Sequence, residues 1–143
     1  MVFNDFRLPY SSGKETAQYI QTKGWQDFPI FATRDVEVAT VSGYLNREFY
    51  LPELKGYGSY AKWSKRISID RTKTLDEVQV YLEKFPKVDK LLLLLSNRSS
   101  IKNLEPGESI SFDKFNLIAD SKFENSYQNS EKFYLYWVER IID

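Results

Sequence analysis

The stretch Val88–Ser96, VDKLLLLLS, decides the fold. Five consecutive leucines leave the segment no polar side. A strand that is apolar on both faces has to be covered on both, so it reads as the central strand of a sheet with helices packed against each side.

Working outward, TKTLDEVQVYLEKFP (72–86) reads as the helix that feeds this strand. Thr74 and Glu77 have capping-box spacing, Leu75, Val78, Leu82 and Phe85 recur at helical intervals, and Pro86 stops the run. YSSGKETAQYIQTKG (10–24) reads as a first helix on the same grounds, with Ser12 and Glu15 at capping distance and Ala17, Ile20 and Gly24 on one side. DFPIFAT (27–33) follows as a short apolar strand with Pro29 near its start.

RDVEVATVSGYL (34–45) carries two periods. Val36, Val38 and Thr40 alternate as in a strand, whereas Val38, Val41 and Leu45 repeat at helical spacing among Ala39, Ser42 and Gly43. Asp35 as N-cap, and the lack of a turn signal after Phe31, favour a helix, with Tyr44 and Leu45 packing on the sheet and REFYLP (47–52) as the next strand. PELKGYG (52–58) has the Pro and Gly density of a loop. SYAKWSKRISID (59–70) alternates imperfectly, with Lys65 breaking the row of Ala61, Trp63, Ile67 and Ile69, as in a bulged edge strand.

After the leucines, SNRSSIKNLEPGES (96–109) reads as a loop. FDKFNLIADSKF (112–123) and EKFYLYWVERII (131–142) read as long strands joined by the polar turn ENSYQNS, forming an antiparallel hairpin at one end of the sheet. The order predicts one α/β domain over residues 1–143, a three-layer, Rossmann-like sandwich with a mostly parallel central sheet and an antiparallel C-terminal hairpin.

Composition narrows the chemistry. With 42% apolar residues and 20 acidic against 20 basic side chains, the 143 residues form a folded, neutral chain large enough for a core of its own. The absence of Cys and His excludes disulfides, thiolate nucleophiles, Cys/His zinc sites and imidazole acid–base catalysis. Carboxylates, Lys, Tyr, Ser and Thr remain. The leucine run falls far short of the roughly 20 apolar residues of a membrane-spanning helix, so no span is expected in this chain.

In an open α/β sheet ligands bind beyond the carboxyl ends of parallel strands. That rule selects Thr33, Arg34 and Asp35, the loop PELKGYG, and Ser96, Asn97 and Arg98. Two arginines there suit a carboxylate or phosphate; the commoner reading is that Asp35 and Ser96 cap turns and the arginines are solvated. Glycine spacing matches neither a P-loop nor a dinucleotide fingerprint, and no cofactor or metal is expected. The carboxylate pairs Asp76/Glu77 and Glu105/Glu108 belong to a helix start and a Pro-Gly turn rather than to an acid–base pair.

A second candidate is a local excess of charge. Between Lys55 and Lys73 six cations face a single acid, Asp70, with Tyr57, Tyr60 and Trp63 interleaved. Lys62, Trp63, Lys65 and Arg66 form the densest part and suit an anionic partner; nucleic acid is not the favoured one. A lysine-protected edge strand explains the same residues. In KFYLYWVER, Tyr134, Tyr136 and Trp137 offer sugar-stacking rings, although cross-strand packing is the more frequent use of such residues.

The runs YSSGKETAQYIQTKG, FPIFATRDVEVATVSGYLNREFYLPE, GSYAKW and KLLLLLS, in that order, resemble the soluble C-terminal region of bacterial multi-pass membrane glycosyltransferases of the dolichyl-phosphate-mannose protein mannosyltransferase type. The densest part, ATVSGYLNREFYLPE, joins a small-residue helix ending in Gly-Tyr-Leu to a polar turn with Arg, then Phe-Tyr and Pro. These are fold-forming residues. The resemblance implies a non-catalytic accessory domain, excised from the C-terminus of a larger membrane protein, that lies on the extracytoplasmic side of the membrane and contacts a lipid-linked sugar, an acceptor or the membrane-embedded part of its parent. The family's catalytic acids lie beside membrane helices, so none is carried over to this chain. The alternative is a free-standing binding module for an anionic ligand on the 55–73 face, for which a cytoplasmic location is expected.

Overall fold

The computed structural model describes residues 13–33, 41–42, 44–45, 48–51, 56–58, 71–96, 104–124 and 132–141. Its centre is the leucine run. Lys90–Ser96 forms strand β4, and Leu91 through Leu95 have no solvent exposure. Alternation divides them between two apolar clusters: Leu92 and Leu94 pack on one face of the sheet, Leu91, Leu93 and Leu95 on the other.

The first face is covered by helix α1, Gly13–Thr22, through Ala17 and Ile20, and by Val41 and Leu45. Val41, Ser42, Tyr44 and Leu45 have helical backbone, which decides the two-period stretch in favour of a helix there; its start, 34–40, lies outside the described residues. Leu45 is buried, but Tyr44, expected against the sheet, is 56% exposed. One position along a helix turns a side chain by about 100°, enough to swing Tyr44 away when Leu45 faces inward.

The second face is covered by helix α2, Arg71–Lys84, through Val78, Tyr81 and Leu82. The helix begins three residues before the expected cap, so Thr74 lies inside it and is fully buried. A capping-box pattern read from spacing alone was overridden by a longer helix whose first turn carries no acid.

Among the described residues seven strands form one sheet in the order β3-β2-β1-β4-β7-β6-β5. They are β1 Ile30–Ala32, β2 Phe49–Leu51, β3 Gly56–Gly58, β4, β5 Ser109–Ser111, β6 Phe115–Phe123 and β7 Phe133–Arg140. The expected parallel core is present over β2, β1 and β4, with Ile30, Phe31 and Ala32 opposite Leu92, Leu93 and Leu94. The other four pairings are antiparallel, so the sheet is mixed and parallel pairing is its minority.

Two short strands add to those expected, one inside the expected loop 52–58 and one that starts at Ser109, the last residue of the expected loop 96–109. Gly56–Gly58 turns back along β2, and Ser109–Ser111 adds an edge beyond β6. At three residues each, neither shows an alternation that a sequence pattern can register. The β6–β7 hairpin is as expected, but β5 lies outside it. The bulged strand expected over 59–70 lies outside the described residues.

Helix ends are fixed by specific bonds. Gly24, expected on the apolar side of α1, sits instead just past its end with φ 74°, where Trp25 N–H donates to the Ile20 carbonyl and Gly24 N–H to that of Gln21. That is a Schellman stop, which needs a residue at ease with positive φ. The last turn of α2 is closed by Arg140 of β7, whose guanidinium donates to the carbonyls of Leu82, Phe85 and Val88 at 2.8, 3.1 and 2.9 Å.

Candidate functional site

Strand β1 is a topological switch point. The chain leaves it by way of Val41 and Leu45, which pack on one face, to reach β2 on one side, and arrives at β4 on the other side through α2 on the opposite face. In open α/β sheets, crossovers that diverge in this way mark the carboxyl ends of the two strands, here β1 and β4, as the usual ligand-binding end.

Of the six residues selected there, Thr33 and Ser96 are described. Thr33 N–H donates to the Leu94 carbonyl at 3.3 Å, extending the β1–β4 ladder by one step. Both side chains are fully buried, so they form the floor of this end of the sheet and not its accessible surface. Arg34, Asp35, Asn97 and Arg98 lie outside the described residues, as do Lys62, Trp63, Lys65 and Arg66 of the basic stretch.

Helix α2 contributes to the same end. A short turn joins it to β4, so the two run antiparallel, and 14 helical residues span about the length of the 7-residue strand. The amino end of α2 therefore opens beside the carboxyl end of β4. The helix dipole favours an anion at such an end.

Sequence reasoning missed a group of polar side chains beside this floor. Tyr134 of β7 stands opposite Leu95 of β4 and opposite Lys122 of β6. Its hydroxyl donates to Glu124 Oε2 at 2.7 Å, and Lys122 forms an ion pair with Glu105. Burial, followed by the Glu124 hydrogen bond and its negative charge, pushes the Tyr134 phenol well above the ordinary tyrosine range. The Glu105 hydrogen bond likewise holds the Lys122 ammonium above the ordinary lysine range.

The signal that hides this group is a β-bulge. Pairing passes from Ala119/Tyr136 to Ser121/Leu135, so Asp120 is an extra residue in β6. Before it Phe115, Leu117 and Ala119 face α2; after it Phe123 faces α1, and Lys122 comes to lie beside Tyr134. Strict alternation along FNLIADSKF would put Lys122 on the opposite face. Tyr19 of α1 pins the bulge by donating to Asp120 Oδ2 at 2.8 Å, and burial together with that carboxylate raises the Tyr19 pKa.

The stacking candidates separate. Tyr136 and Trp137 are core, with Trp25 and Phe28 edge-on to Trp137 at 4.7 and 5.0 Å; Tyr134 alone of the three is half-buried. Among the described residues no three His, Cys, Asp or Glu side chains gather as metal ligands, and no helix is long and apolar enough to cross a membrane. Glu108 carries a turn, its Oε1 accepting from Glu105 N–H at 2.7 Å. Comparison with protein-family models, with curated proteins and with solved structures finds no match.

Proposed function

We propose that the chain is a non-catalytic, ligand-contacting domain of a membrane glycosyltransferase-like protein, and that it receives the phosphate of a lipid-linked sugar beyond the carboxyl ends of β1 and β4. The observation that carries the ligand reading is the meeting, at one end of the sheet, of the β1/β4 switch point with the amino end of α2. With helices packed on opposite faces, the finer description of the fold as a three-layer, Rossmann-like sandwich belongs to the same reading.

The parent protein and an extracytoplasmic location follow from the sequence resemblance. The domain then works by holding the sugar phosphate, or by covering the membrane-embedded part of its parent, while the chemistry is done elsewhere. Titration of the protein with a hexose 1-phosphate, followed by calorimetry, is expected to show saturable binding that weakens as salt is raised. The native gene is expected to encode membrane-spanning helices ahead of this domain. A gene that encodes no such helices overturns the parent assignment, and no binding at millimolar ligand overturns the ligand.

A further inference from the structure

We propose that Tyr134, Glu124, Lys122 and Glu105 form a subsite for sugar hydroxyl groups, extending the phosphate-binding end of the sheet toward β6; this rests on the functional reading above. Thr33 and Ser96 are sealed, so a ligand arriving at this end meets other side chains. Continuing the β1–β4 register, one row crosses the sheet from Thr33 through Leu95 and Tyr134 to Lys122. Strands lie about 4.8 Å apart, which puts the Tyr134 backbone about 10 Å and that of Lys122 about 14 Å from Thr33, on the same face of the sheet.

The chemistry matches hydroxyl groups. Lys122 and Glu105 keep 31% and 63% of their side-chain surface in solvent, while Tyr134 offers a half-buried ring and a phenol held in its protonated, donating form. Carboxylates accept from sugar hydroxyls, the ammonium donates to them, and the ring gives an apolar edge for C–H groups. A separate observation is the Asp120 bulge, which aims Lys122 toward Tyr134 and is held by Tyr19 from the far face. Bulges that re-aim a side chain are typical beside binding sites.

The test compares inorganic phosphate with a hexose 1-phosphate on the wild-type chain and on Lys122→Ala and Tyr134→Phe, each checked for an unchanged circular dichroism spectrum. Each variant is expected to bind the sugar phosphate about tenfold more weakly, as for the loss of a charged hydrogen bond, and inorganic phosphate as before. Wild-type affinity for the sugar phosphate in both variants overturns the subsite and leaves the phosphate reading standing. An equal loss for both ligands overturns it too, because it places these residues at the phosphate. If neither ligand binds the wild-type chain, both readings fall.

Discussion

Arg140 concentrates much of the account in one side chain. It donates to the carbonyls of Leu82 in the last turn of α2 and of Phe85 and Val88 in the turn that follows, and so joins that helix end to the far end of β7. Arg140→Met is expected to lower stability by about 2–3 kcal/mol in urea denaturation, and Arg140→Lys to recover little, because an ammonium lacks the planar fork that reaches three carbonyls. The two tyrosines held by carboxylates give a pH signature. Tyr19 and Tyr134 both have pKa values raised by folding, so the stability they contribute is fully present below about pH 10 and is lost as pH rises further. Tyr134→Phe is expected to flatten the fall in melting temperature as pH rises above about 10. None of these roles was legible in the sequence. Arg140 ends a strand pattern and Tyr134 sits among aromatics, and the partners that define both are far away along the chain.

At the scale of elements, what could be read was whatever has a long enough period. The leucine strand, α1 and the β6–β7 pair stand close to where their patterns placed them. Helix α2 was legible as a helix through Val78 and Leu82, but its start was not, since Thr74 and Glu77 fit a cap and a helix interior equally well. Three-residue strands are too short for any pattern, and a bulge reverses alternation without changing composition. Gly24 shows the same limit, because a glycine at helical spacing also suits a helix stop. Its positive φ predicts that Gly24→Ala costs about 1 kcal/mol by thermal denaturation, although an added Cβ meets nothing within 4 Å. Deleting Asp120 removes the bulge while keeping Ser121 opposite Leu135 and Lys122 opposite Tyr134, so the faces of Lys122 and Phe123 are unchanged and only the Tyr19 bond is lost; the expected result by calorimetry is a modest fall in melting temperature with cooperative unfolding kept.

Across the whole molecule, β4 ties the parallel strands β2 and β1 to the antiparallel set β7, β6 and β5, and both apolar clusters run through it. Leu93→Ala is therefore expected to cost about 2–5 kcal/mol in chemical denaturation, with every spectroscopic probe moving together. The α/β class and the β1/β4 switch point were both readable from element order, because crossovers follow from it. The residues accessible at that end were not, because the carboxyl-end rule selects loops after parallel strands, and Tyr134 and Lys122 belong to antiparallel ones. In the proposed function, ligand meets the protein beyond β1 and β4. It is tested most directly by mapping backbone amide chemical shifts of the labelled protein during titration with a hexose 1-phosphate. Saturable shifts are expected at Thr33, Ser96, Lys122 and Tyr134, with the opposite end of the sheet at Ile30 and Asp89–Lys90 unmoved. Shifts confined to Lys62, Trp63, Lys65 and Arg66, or to that opposite end, would contradict it.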